Sequence, residues 1–207
     1  MPSQKTIAFC RYVENTEDFI AITKDAANEG ADTILFPEGL FGENPVRGDQ
    51  IPILYSQSSE ILSNGVDSIA FSAWVSAMSS FYFNLGYLFT SDAPNTRTKH
   101  IIRPNDNKVL KRHISNQDKI LSNLRLWESR IHTESEVPSL RISEEISFCQ
   151  TEADVVFVPA DKLRLKNLKN FQGTALVNDR KKGAYIFKSG KKVWHKKVKN
   201  DFILGVL

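Results

Sequence analysis

The stretch Ala31-Asp32-Thr33-Ile34-Leu35-Phe36-Pro37-Glu38 decides the fold of this 207-residue chain. Thr33 to Phe36 are apolar or β-branched and predict a short buried strand. Pro37 ends it, because proline cannot donate to a ladder. Glu38 then falls just beyond the carboxyl end of the strand, where open α/β sheets gather ligands and chemistry. A carboxylate held there is a candidate general base; the alternative is an N-cap or a solvated loop acid.

The preceding residues supply the partner elements. Lys5 to Tyr12 read as a strand. Asn15-Thr16-Glu17-Asp18 reads as a helix start, with a cap residue followed by acids in the first turn. Phe19, Ile22, Ala26 and Ala27 then mark one apolar helical face, and Gly30 stands where a C′ glycine belongs. Strand, helix and strand fit within residues 5–36, which predicts a βαβ unit and a parallel sheet.

This opening resembles the nitrilase, or carbon–nitrogen hydrolase, superfamily, through the first strand, the helix and the run Glu29-Gly-Ala-Asp-Thr-Ile-Leu-Phe-Pro-Glu38. The resemblance implies that Glu38 is the general base of a Glu-Lys-Cys triad. It also implies an α/β fold, a four-layer αββα sandwich, with residues 1–207 forming a single hydrolase-like domain.

Composition fits that expectation. Apolar residues make up 41% and charged residues 25% of the chain, as in ordinary globular domains. No run is long enough for a membrane span, and Met1-Pro-Ser-Gln-Lys5 lacks a signal peptide's apolar core. Cys10 and Cys149 are too few for a disulfide framework, and no Cys/His spacing suggests zinc. A cytoplasmic, reduced protein is the expectation.

Residues 67–81 place Ala70, Ala73, Trp74, Ala77, Met78 and Phe81 at helical spacing, which predicts a core-facing helix. Phe83 to Thr90 reads as a strand around Gly86. His100 to Ile102 and Val109-Leu110 flank a turn at 104–107, a hairpin signal. Lys111-Arg112-His113-Ile114 closes it and resembles the family's K-x-H-L element, 73 residues after Glu38. The resemblance makes Lys111 the second triad member, with Lys99 as an alternative that falls early. A fixed ammonium suits the role, because attack on an amide or nitrile carbon builds negative charge that it stabilises.

The third position departs from the family. Leu140 to Ile146 lies where members run a strand into their catalytic cysteine, and Ser143 occupies that place, 32 residues after Lys111. Downstream, Ala153-Asp-Val-Val-Phe-Val-Pro-Ala160 matches the family's next strand and pins the register. The helix after the nucleophile is therefore shortened by about two turns. A thiol, with a pKa of about 8.5, can be deprotonated by a nearby glutamate, whereas a hydroxyl needs a stronger base or a relay. Three accounts follow: an engineered Cys→Ser trap, natural loss of catalysis, or transfer of the role to Cys149, whose neighbour Phe148 suggests a packed small hydrophobe instead. Many members carry a further glutamate near the substrate amine. Glu128 is the positional candidate, with Asp118 and Glu134 as substitutes. His113 and His132 read as structural or exposed.

Lys162 to Lys199 holds 13 of the 27 basic residues and one acid, Asp179, with Tyr185, Phe187 and Trp194 interleaved. One reading is a nucleic-acid footprint with aromatic stacking platforms. The other is a closing hairpin, Gly183 to Phe187 and Lys192 to Val198 about Ser189-Gly190, whose lysines form a solvated face. The hairpin is favoured, since the net charge is only +3 and no nucleic-acid motif is present. The family resemblance adds a small-molecule amide substrate, a homodimer, no metal and no organic cofactor, and no membrane association. The function expected is carbon–nitrogen hydrolysis, with an inactive scaffold of the same fold as the alternative.

Overall fold

The computed structural model describes residues 4–42, 46, 50–76, 82–90, 101–104, 139–140, 155–160, 168–169 and 171–207. Two sheets stack face to face. The first has the order β11-β1-β2-β3-β4-β5, formed by Phe202–Val206, Thr6–Cys10, Thr33–Leu35, Ser68–Ser76, Tyr82–Thr90 and Ile101–Pro104. The second has the order β10-β9-β8-β7-β6, formed by Lys191–Lys196, Gly183–Lys188, Thr174–Asp179, Val155–Ala160 and Ser139–Leu140.

The βαβ unit forms as its signals predict. Helix α1 spans Thr16–Asn28, and the Asp18 amide donates to the Asn15 side chain at 2.8 Å. A cap of this kind stabilises a helix by about 1 kcal/mol. Gly30 follows the helix at φ 83, a left-handed conformation in which a side chain would be strained. Strands β1 and β2 pair in parallel, with Phe9 opposite Leu35. Phe19, Ile22 and Ala26 are buried against the first sheet.

The helix that spacing suggests over residues 67–81 is not formed by the described part of that stretch. Ser68–Ser76 is strand β3, parallel to β2 and antiparallel to β4. The physical reason is burial on both faces. Ile69, Phe71 and Ala73 pack toward the helices, while Ala70 faces the second sheet. A doubly buried strand loses its polar–apolar alternation, and small residues can then imitate a helical period. Residues 77–81 lie outside the described residues, as does the Val109-Leu110 half of the expected hairpin. The second helix, α2, is Ile51–Ser63, which packs against α1.

Three apolar layers result. Helices α1 and α2 cover the first sheet. Ile7, Phe9, Leu35, Ala70 and Leu88 meet Phe157, Leu176, Ala184 and Ile186 between the sheets. The second sheet's outer face is apolar too, with Val156, Val158, Val177, Tyr185 and Phe187 beneath Leu168 and Phe171. The closing hairpin is β9 and β10, turning at Ser189 (φ 46) and Gly190 (φ 71). Tyr185 and Phe187 are buried, and Trp194 stacks on Phe9 with centroids 5.2 Å apart. Strand β11 adds antiparallel to β1, with Gly205 opposite Ile7. A Cβ at Gly205 would meet the Phe9 ring at 3.0 Å, so β11 packs tightly against the layer between the sheets. Among the described residues, no helix is long and apolar enough to cross a membrane.

Candidate active site

Glu38 sits past the carboxyl end of β2, half-buried, in a loop with several backbone anchors. The Phe36 amide continues the ladder by donating to Ala70 O at 2.9 Å. The Glu38 amide reaches across to the second sheet and meets Ala160 O, the end of β7, at 3.5 Å. Ser72, fully buried on β3, holds the next residues. Its hydroxyl accepts from the Gly39 amide at 3.3 Å, and its carbonyl accepts from the Leu40 amide at 2.7 Å. Leu40 O in turn accepts from the Val13 amide at 2.8 Å. The candidate base therefore stands on hydrogen-bonded backbone where the ends of β2 and β7 meet.

A side-chain clamp binds the two sheets at the same end. Asn178, on β8 and 1% exposed, donates through Nδ2 to Cys10 O at 2.7 Å and to Leu35 O at 2.6 Å. Those carbonyls end β1 and β2. Asp179, also buried, accepts from the Lys181 and Lys182 amides at 2.9 Å each and so caps the turn into β9. The Arg180 guanidinium lies 5.0 Å from the Tyr12 ring centroid, joining the loops after β8 and β1. Between them lies a cleft of about 140 Å³, lined by Cys10, Tyr12, Pro37, Asn178 and Arg180 among others.

Electrostatics at this end are set by pairing and burial. Burial pushes the Cys10 thiol well above its ordinary value, so Cys10 is an inert packing group. Arg11 forks onto Asp18 at 2.8 and 2.9 Å and also reaches Asp201 at 2.8 Å. Partial burial would raise the Asp18 carboxyl, but the Arg11 fork and the Glu14 amide outweigh it and hold it below the usual carboxylate range.

Of the candidate catalytic residues read from sequence, Glu38 is the one whose surroundings are described. Lys111, Ser143 and Glu128 lie outside the described residues, as do Lys99, Asp118, Glu134, His113, His132 and Cys149. Sequence reasoning missed Ser72 and Asn178. Ser72 was hidden by the helical reading of 67–81. Asn178 ends the run Ala175-Leu-Val-Asn178, where a polar residue reads simply as a strand end.

The fold has counterparts among solved structures. An amidase from Nesterenkonia sp. matches with TM-score 0.64 at 14% identity, covering 98% of this chain and 90% of that chain. A cysteine-to-serine mutant of the Nesterenkonia AN1 amidase, from the nitrilase superfamily, matches with TM-score 0.63 at 15% identity, covering 100% of this chain and 92% of that chain. The chain shares the nitrilase-like α/β fold of these amidases. A glutamate-to-leucine mutant of the same amidase carries the acetamide moiety of fluoroacetamide at its active site cysteine. It matches with TM-score 0.63 at 12% identity, covering 98% and 90% of the two chains. No protein-family model matches the sequence, and no curated protein matches it.

Proposed function

We propose that this chain is a carbon–nitrogen hydrolase of the amidase type in which Ser143 holds the nucleophile position. The observation that carries the reading is Glu38 at the junction of β2 and β7, in a fold shared with amidases. The sheet register supports the partner. Strands β6 and β7 pair in parallel, with Leu140 opposite Phe157. Position 143 follows Leu140 by three residues in sequence, and Ala160, three residues beyond Phe157 on β7, is the residue whose carbonyl meets the Glu38 amide. Lys111 enters on sequence order alone. Strand β5 runs antiparallel to β4, so Pro104, seven residues before Lys111 in sequence, lies at the Glu38 end of the first sheet.

With cysteine at 143, the chemistry is direct. Glu38 takes the thiol proton, the sulfur attacks the amide carbon, and the Lys111 ammonium holds the developing oxyanion. The C–N bond breaks as Glu38 returns the proton to the leaving amine. Water, activated by Glu38, then releases the acyl group as a carboxylic acid. Glu128 is assigned to the substrate amine. With serine the first step stalls, because a carboxylate is too weak a base for an unassisted hydroxyl. The protein as written is therefore inactive or nearly so toward amides, and Ser143 favours a second reading in which the fold serves as a scaffold.

The test is ammonia release from simple amides by Ser143→Cys and by the same protein with Glu38→Gln or Lys111→Ala added. Turnover by Ser143→Cys that disappears in both double variants is expected. Activity that survives Glu38→Gln would remove Glu38 from the mechanism.

A further inference from the structure

We infer that Asn178 is a positioning residue for Glu38, an inference that rests on the hydrolase reading above. The interface between the sheets is apolar, built from residues such as Phe9, Leu35, Leu176 and Ile186. Asn178 is a polar side chain at the edge of that layer, buried to 1% exposure, and both of its bonds run to the opposite sheet. Its acceptors are 168 and 143 residues away in sequence, so this bridge belongs to the tertiary fold alone.

The location gives the bridge its consequence. Leu35 is the last residue of β2, and Glu38 follows after only Phe36 and Pro37. Within β8, Asn178 pairs with Pro159 of β7, one residue before the Ala160 carbonyl that meets the Glu38 amide. The Asn178 amide therefore fixes the end of β2 against the β7–β8 pair. Glu38 belongs to the first sheet and position 143 follows a strand of the second. The placement of Glu38 against the end of β7 depends on how the two sheets meet here, and apolar contacts, being non-directional, do not by themselves fix it. A misplacement of about 1 Å at a reacting centre costs about 100-fold in rate.

The experiment uses full-length Ser143→Cys, Asn178→Ala/Ser143→Cys and Asn178→Ser/Ser143→Cys, with fluoroacetamide as the probe. The position-143 sulfur displaces fluoride, a C–S bond replaces the C–F bond, and Glu38 takes the thiol proton. The saturation kinetics of labelling separate probe binding from the bond-forming rate, while hydrogen exchange reads the Phe36, Glu38 and Leu40 amides. Asn178→Ala should leave probe affinity within about threefold and slow bond formation about 100-fold. Exchange should quicken at those three amides and stay unchanged in β9 and β10. Asn178→Ser keeps one donor, so its loss should be smaller, and it serves if Asn178→Ala fails to fold. A general loss of stability would instead quicken exchange throughout. Folded Asn178 variants that label as fast as Ser143→Cys, with unchanged Glu38 exchange, would overturn the inference. Absence of labelling in Ser143→Cys itself would overturn the hydrolase reading, and the exchange data would still decide whether Asn178 holds the end of β2.

Discussion

Replacing Trp194 with alanine tests whether the basic hairpin is part of the core or a docking surface. Trp194 lies half-buried on β10 and stacks on Phe9 at 5.2 Å with an interplanar angle of 22°. It also packs near Gly205 in the layer between the sheets. Full removal of a buried Trp costs about 3–5 kcal/mol. Half burial reduces that, and loss of the aromatic pair restores about 1 kcal/mol, for a net cost of about 3 kcal/mol. With a urea dependence of about 3 kcal/mol per molar for a chain of this size, the midpoint should fall by about 1 M. Urea titration followed by far-ultraviolet circular dichroism reads the shift without relying on tryptophan emission. In parallel, RNA and DNA binding should be weak in both proteins and should vanish at moderate salt. An unchanged midpoint together with lost submicromolar nucleic-acid binding at physiological salt would refute the core assignment. It would make the hairpin a stacking platform worth about 1–3 kcal/mol per base.

Three further outcomes follow from particular contacts. Tyr185→Ala and Phe187→Ala should each cost about 3 kcal/mol or more in the same titration, since both rings are 5% exposed. Gly190→Ala should cost about 2 kcal/mol or more. Its Cβ would fall 2.1 Å from Lys169 O at φ +71, so backbone must move; a melting temperature within a degree of the parent would contradict this. Asp18→Asn should cost about 1 kcal/mol at pH 7. The folded Asp18 carboxyl is held low, so its contribution is present above the unfolded pKa of about 4 and is lost as pH falls through the folded value. The gap between variant and parent melting temperatures should therefore close toward pH 2, and an equal gap at both pH values would reject the Arg11–Asp18 account.

The βαβ opening was legible because every signal was local. Asn15 caps, the Phe19-Ile22-Ala26 face repeats at helical spacing, and Pro37 stops β2 within one residue of the expected place. The closing hairpin was legible for the same reason, through Ser189-Gly190. Ser68–Ser76 was misread because a strand buried on both faces has no polar alternation to display. Helix α2 gave little warning at its start, where Gln50 makes no capping bond and the first turn holds no acid. Glu38 could be found from its strand, but not what holds it. Ser72 and Asn178 act through carbonyls, amides and hydroxyls brought together from distant parts of the chain, and no local pattern records those pairings.

The central claim is that position 143 is the nucleophile site served by Glu38, and the most direct measurement is the mass of Ser143→Cys after exposure to fluoroacetamide, with the modified peptide mapped. The account predicts one acetamide moiety on residue 143, none on buried Cys10 or on Cys149, and none on the parent protein with serine. Labelling at Cys149, or robust amide turnover by the serine form, would contradict it.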